Sequence, residues 1–104
     1  MGKATGMIEV YGLVAAFVAC DAGCKAANVT VEPFDKNKPA NAEKLKVPLL
    51  VTVKFRGNVE DVKAAVEAAK EAAEKVSGVV ATHVIPNTEP DTEKMLKLSG
   101  FDKN

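Results

Sequence analysis

The sequence predicts an α+β domain in which two helices cover one face of a four-stranded antiparallel sheet. Two observations predict it. Segments in which apolar and polar residues alternate have the period of half-buried strands, and they are separated by two segments in which apolar residues recur every three or four positions, as in a helix. Residues suited to turns or caps stand at each change of period: Gly12, Asn28, Asn58 and Gly78. The resulting order is β-α-β-β-α-β, followed by a short C-terminal helix.

The first strand is predicted over residues 7–11, and the first helix begins at Leu13. Asn28 is expected to end this helix in the left-handed conformation that asparagine tolerates. The spacing of three and four predicts which side chains of the helix face the core. They are Leu13, Phe17, Cys20, Cys24 and Ala27.

The second strand is predicted over residues 29–34. Because Pro33 has no amide hydrogen, this strand belongs at a sheet edge or Pro33 lies at a strand end. Residues 35–48 are rich in lysine and bounded by proline, which predicts a polar loop of 14 residues. Such a loop is longer than an ordinary hairpin connection, and long loops in small domains often carry function.

The third strand is predicted over residues 49–55, and Asn58 is expected to cap the second helix. Gly78 should end that helix, a fourth strand should follow over residues 79–86, and residues 91–98 should form the short terminal helix. Residues 99–104 are expected to be a flexible tail. The apolar stripe of the second helix is predicted to comprise Val59, Val62, Val66, Ala69, Ala73 and Val76. This element order is the split β-α-β, or ferredoxin-like, arrangement.

Composition narrows the class of protein. A chain of 104 residues supports one domain, and 47% hydrophobic residues supply its core. Fourteen basic and 14 acidic residues give no net charge, which argues against nucleic-acid binding. No signal peptide and no membrane span is predicted, so we expect a cytoplasmic protein with reduced cysteines.

No catalytic or metal-binding set stands out. Cys20 and Cys24 are one helical turn apart, without the further ligands that a metal site needs. His83 has no nucleophile placed by a recognisable motif, and Glu9 is expected to pair with a neighbouring strand or subunit. We therefore expect no catalytic residues, no metal and no cofactor.

Several segments together resemble one family. They are Gly6-Met7-Ile8-Glu9 followed by Gly12, Asp21-Ala22 with Lys25-Ala26-Ala27-Asn28-Val29, Val51-Thr52-Val53 with Arg56-Gly57, residues 62–68, and His83-Val84-Ile85-Pro86. In this order and spacing they resemble the shell-protein domain of bacterial microcompartments (the BMC domain), of the single-domain, hexamer-forming type. The resemblance covers residues 4–98.

The resemblance implies a structural protein that is not an enzyme: a cyclic homohexamer shaped as a tile, with a central pore that controls metabolite passage. Tiles and other shell proteins would meet edge to edge in the shell of a cytoplasmic microcompartment that holds encapsulated enzymes. Lys25 matches the lysine at the tile edge, and Asn28 and Asn87 are assigned to the same contact. Asn87 stands where the family usually has an arginine, and the short glycine-rich pore loop of the family is replaced by residues 35–48. The implied pore-lining residues are Lys36, Asn37 and Lys38.

Two other functions remain open at this stage. The same fold serves trimeric regulatory or ligand-binding proteins of the nitrogen-signalling type, which would bind nucleotide. Against this, the chain has no glycine-rich phosphate-binding loop and no basic cluster. A small enzyme on this fold would need a triad or a metal set, and the sequence offers neither.

Overall fold

The order of elements agrees with the prediction. The computed structural model describes residues 3–44 and 47–98, so the predicted tail at 99–104 lies outside the described residues. The elements are β1 (Ala4–Tyr11), α1 (Leu13–Ala26), β2 (Thr30–Asn37), a 3₁₀ turn (Ala42–Lys44), β3 (Leu50–Gly57), α2 (Val59–Glu74), β4 (Val79–Ile85) and α3 (Pro90–Leu96). The predicted α+β fold class is confirmed.

The sheet has the strand order β2-β3-β1-β4, and all neighbouring strands are antiparallel. β1 is therefore central, and β2 and β4 form the edges. Pro33 lies on the edge strand β2, where the register with β3 shifts between Glu32 and Asp35. This position confirms the prediction for Pro33, because an irregular edge strand does not need its missing amide hydrogen.

The two faces of the sheet carry different layers. Val51, Val53 and Phe55 of β3 have no exposed surface and face α1 and α2. The intervening residues of β3 point to the opposite face, since side chains alternate along a strand. α3 lies against that opposite face, where Lys54 bonds to the carbonyl oxygen of Leu96. We call this second face the α3 face.

The second helix forms where it was predicted, but it ends at Glu74, four residues before Gly78. The side chain of Asn58 accepts a hydrogen bond of 2.8 Å from the backbone N–H of Asp61, which confirms the cap. Gly78 follows the helix with φ of 125°, a conformation that favours glycine. Val76 of the predicted stripe lies beyond the helix and is exposed. The buried residues of α2 are Val62, Ala65, Val66, Ala69 and Ala73.

The inner face predicted for α1 is right for Cys20 and Ala27, which pack against the core, and wrong for Leu13, Phe17 and Cys24. Its buried residues are Ala15, Ala16, Ala19 and Gly23, whereas Phe17 is 61% exposed and Cys24 is exposed. Small residues are needed because α1 packs very close to α2 and β3. A Cβ atom on Gly23 would lie 2.4 Å from Cζ of Phe55. The bulky apolar side chains of α1 therefore point outward.

Two boundaries also differ from the prediction. Asn28 does not stop α1 in the left-handed conformation; Ala27 ends it in an extended conformation, with φ of −153°. β2 continues to Asn37, and its last three residues, 35–37, pair with Thr52, Val51 and Leu50 of β3. The polar loop is thus shorter than predicted, because polar residues on an exposed edge strand can remain paired to its neighbour.

Candidate functional site

The three residues assigned to the pore lie together at one end of the sheet. Lys36 and Asn37 are the last residues of β2, and Lys38 is the first residue after it; all three are exposed. We call residues 36–38 the pore segment. Its strand part is held to β3 by the pairs Lys36–Val51 and Asn37–Leu50. Lys36 and Asn37 therefore have a backbone position fixed by strand pairing, and Lys38 lies just beyond the strand.

The three residues assigned to the tile edge lie on two parts of the fold. Lys25 is in the last turn of α1, and Asn28 follows two residues after that helix ends. Asn87 is exposed in the connection between β4 and α3. Lys25 Nζ lies 2.8 Å from Asp21 Oδ2. This hydrogen bond raises the pKa of the Lys25 amine, so the side chain is a cation at neutral pH.

An exposed apolar surface covers one side of α1, and two of its residues, Leu13 and Phe17, were predicted to face the core. Its members are one turn apart in two pairs, so they form a continuous stripe. The ring of Phe17 packs edge-on against the ring of Phe34, with centroids 5.1 Å apart and planes at 61°. We call this surface the apolar face of α1. It comprises Leu13, Val14, Phe17 and Val18, which are 40%, 70%, 61% and 37% exposed.

A contiguous apolar patch on a soluble domain commonly marks a contact surface. The signal that could have located it is the stripe Ala15, Ala19 and Gly23, in which only small residues recur every four positions. Such a stripe indicates the close-packed side of a helix. The bulky residues then have to face away from the core.

Two cations are buried on the α3 face, and neither burial was predicted. Lys54 and Arg56 are only 2% and 3% exposed. Lys54 Nζ donates hydrogen bonds to the backbone oxygens of Leu96 and Leu98, at 2.7 and 3.0 Å, and to Asp35 Oδ2, at 3.2 Å. Alternation on β3 places these residues away from the main core, but only the docking of α3 buries them.

Arg56 holds the beginning of α3. Its Nη2 donates to the carboxylate of Glu93, and its Nη1 lies 4.0 Å from Glu32 Oε2. Its Nε and Nη1 atoms are buried and have no hydrogen-bond partner among the described residues. The hydrogen bond from Arg56 holds the pKa of the Glu93 carboxyl below its ordinary value of 4.5. Next to these residues is an open, charged cleft of about 440 Å³, lined in part by Lys3, Thr88 and Lys97.

This pair predicts a pH dependence. A carboxyl group whose pKa is lowered in the folded state stabilises the fold above its unfolded pKa, and this contribution is lost as the pH falls through the folded value. Glu93→Gln should therefore lower the urea midpoint at pH 7, and the gap from the unmodified protein should narrow below pH 4.5. Urea titrations at several pH values and one protomer concentration test this.

Glu67→Gln, on the exposed side of α2, is the matched control for the same chemical change. It should lower the urea midpoint at pH 7 by less than Glu93→Gln does. A gap for Glu93→Gln that stayed constant from pH 7 to pH 3 would contradict the role of the Arg56 contact.

Cys20, His83 and Glu9, which the sequence raised as possible reactive groups, lie on α1, β4 and β1. Burial, followed by the neighbouring thiol of Cys24, raises the pKa of Cys20 to about 11, so the Cys20 thiol stays protonated at neutral pH. His83 and Glu9 line a shallow groove of about 160 Å³ on the α3 face. Within residues 3–44 and 47–98, no three histidine, cysteine or acidic side chains are grouped closely enough to hold a metal ion.

Among the described residues, no helix has the length and apolar character needed to cross a membrane.

Comparison with known proteins identifies the family. A family model of the BMC domain matches residues 4–88, from the start of β1 to the third residue after β4. The chain belongs to the BMC-domain family. Proteins of this family are structural, and this member is a structural component of a bacterial microcompartment shell.

Individual relatives agree with this assignment. The bacterial microcompartment shell proteins PduA of Citrobacter freundii and of Salmonella typhimurium are each 44% identical over 94 residues. These matches span 90% of this chain and 91% and 90% of the two relatives. The crystal structure of a microcompartment protein from Desulfitobacterium hafniense superimposes with a TM-score of 0.72 at 26% identity, over 93% of this chain. The chain spans about half of that protein, 48% of its length.

Proposed function

We propose that this BMC-domain protein is a hexagonal shell tile: six copies close into a ring around a central pore, and rings meet edge to edge with other shell proteins. The observation that carries the proposal is the apolar face of α1, exposed on the single chain of a shell protein. An isolated chain would leave that face in water. A neighbouring copy in a closed ring would cover it in every protomer.

The ring contact is of the head-to-tail kind. In such a contact a surface on one copy meets a different surface on the next, and the ring closes when the rotation between copies is a sixth of a turn. The apolar face of α1 supplies one of the two surfaces. Burying Val14 and Phe17 there would stabilise the contact by about 1.5–3 kcal/mol for each fully buried side chain.

The pore segment is proposed to line the axis of the ring. Support comes from its place at the end of an edge strand, with Lys36, Asn37 and Lys38 exposed in sequence. Six copies would bring twelve lysine cations toward the axis through Lys36 and Lys38. Because rings of charged side chains set the selectivity of narrow pores, we propose that the segment controls metabolite passage. The role is one of passage, without catalytic turnover or a cofactor.

The remaining assignments follow from the same proposal. The shell domain is proposed to extend to residue 98, because α3 is tied to β3 through Lys54 and Arg56. Lys25, Asn28 and Asn87 are proposed to form the tile edge that meets neighbouring hexamers. Encapsulated enzymes would contact the assembled shell.

Lys25 gives the test of the tile edge. Its side chain is 77% exposed, and within residues 3–44 and 47–98 its ion pair is with Asp21, one turn away on the same helix, so its removal should leave the fold intact. Lys25→Ala is expected to preserve hexamers and to suppress the extended sheets that this proposal expects of the unmodified protein. Electron microscopy of both proteins at matched concentration provides the measurement.

Lys63→Ala, at an exposed position of α2, is the control for the loss of one surface charge and should still form sheets. Sheets of unchanged extent from Lys25→Ala would refute the edge assignment. Loss of hexamers in that variant would place Lys25 inside the ring contact instead.

A further inference from the structure

Lys54 is unusual because it is a lysine in the middle of β3 with only 2% of its surface exposed. A buried ammonium group is costly unless each of its hydrogens is accepted. Lys54 Nζ has three hydrogens and three acceptors: the carboxylate of Asp35 and the backbone oxygens of Leu96 and Leu98. The group is fully satisfied only while all three acceptors stay in place.

These acceptors belong to two separate parts of the molecule. Leu96 ends α3, and Leu98 follows two residues later, so Lys54 caps the C-terminal end of that helix. Asp35 lies on β2, directly before the pore segment. The ammonium group of Lys54 thus links the end of α3 to Asp35, the residue directly before the pore segment.

The register of β2 explains why this tie is needed. β2 and β3 pair at Glu32–Lys54 and again from Asp35–Thr52 onward, with an irregularity between them. The pore-segment end of β2 is therefore a short paired stretch beyond an interruption, on an edge strand. A hydrogen bond from the neighbouring strand to Asp35 fixes this stretch where backbone pairing alone is limited.

We infer that Lys54 is a positioning residue for the pore segment, and that it couples the place of α3 to the order of residues 36–38. The inference rests on the proposed function, since it concerns the segment proposed to line the pore. A partner that draws the end of α3 off the sheet removes two of the three acceptors. The ammonium group is then exposed to water, its bond to Asp35 weakens, and the pore segment loosens.

Hydrogen exchange followed by mass spectrometry tests the coupling on the full chain in its native assembly. Lys54→Met keeps a stem of similar length and removes every donor. We expect exchange in peptides covering residues 30–38 and in peptides covering α3 to accelerate about tenfold, with α2 unchanged. Lys63→Met, on the exposed side of α2, should change neither region.

Asp35→Ala removes the bond between Lys54 and β2 while the bonds from Lys54 to Leu96 and Leu98 stay in place. It should accelerate exchange at residues 36–38 with less effect on α3, and Asp35→Asn should restore part of the protection because its amide oxygen still accepts. In the Lys54→Met background, Asp35→Ala should accelerate exchange less than it does in the unmodified protein, since the bond between Asp35 and Lys54 is already absent. Full additivity of the two changes would overturn the coupling.

Another result would also overturn the inference. If Lys54→Met accelerated exchange in α3 and left residues 30–38 unchanged, Lys54 would act as a cap of α3 without positioning the pore segment. The molecular mass of the same samples distinguishes a failure of the proposed Lys54 coupling from a failure of the proposed hexameric ring. Hexamers with unchanged exchange at 30–38 refute the role of Lys54 only, whereas accelerated exchange in a protein that never forms rings refutes the ring and the pore role with it.

Discussion

Replacing Phe55 by alanine is expected to lower the free energy of unfolding by about 3–5 kcal/mol. Phe55 is the largest side chain with no exposed surface, and it lies where β3 meets α1 and α2. Its ring fills the space left by Gly23 on the facing side of α1. Truncation removes these contacts and leaves a cavity that the helices cannot close without moving. Urea unfolding at one protomer concentration measures the change, because assembly contributes to apparent stability.

A second substitution checks that the close approach is the cause. Gly23→Ala should destabilise by about 1–3 kcal/mol, because the added Cβ would lie 2.4 Å from Cζ of Phe55. In a Phe55→Leu background the shorter side chain makes room, so the cost of Gly23→Ala should fall. If Gly23→Ala lowered the free energy of unfolding equally in both backgrounds, the result would contradict the packing described for α1.

Replacing Phe17 by glutamate is expected to convert hexamers into smaller species while each chain stays folded. Phe17 is 61% exposed on the single chain and lies at the centre of the apolar face of α1. In the ring a carboxylate there would be buried without a partner, which is costly. In the separate chain the main loss is the contact with the ring of Phe34, worth about 0.5–1.5 kcal/mol.

Met95→Glu is the matched control, because Met95 is a large apolar residue with nearly the same exposure, 63%, on α3. Light scattering should show hexamers for Met95→Glu and smaller species for Phe17→Glu, and far-ultraviolet circular dichroism should show both to be folded. Hexamers that persist in Phe17→Glu would exclude the apolar face of α1 from the ring contact.

What could be predicted from the sequence was local. The α2 cap at Asn58 and the glycine after that helix depend on nearby backbone geometry, so residue type alone was sufficient. The missing amide hydrogen of Pro33 predicted either an edge strand or a strand end, and the structure has β2 at the edge. The continuation of β2 to Asn37 could not be seen, because exposed polar residues carry no strand period.

What could not be predicted depends on contacts distant in the chain. The space beside Phe55 that sets the orientation of α1 is defined only by the assembled layers, although the small residues Ala15, Ala19 and Gly23 were a local sign of which side packs closely. Lys54 and Arg56 alternate with core residues like any solvent-facing pair, and they are buried only because α3 returns across the sheet. The assignments of the pore segment and tile edge came from family resemblance and remain predictions.

The solution mass of the unmodified protein tests the ring most directly. Size-exclusion chromatography with light scattering, run over a range of concentrations, should show a species of six chains that grows into larger assemblies as concentration rises. A protein that remained a monomer or a trimer at every concentration would contradict the hexagonal tile.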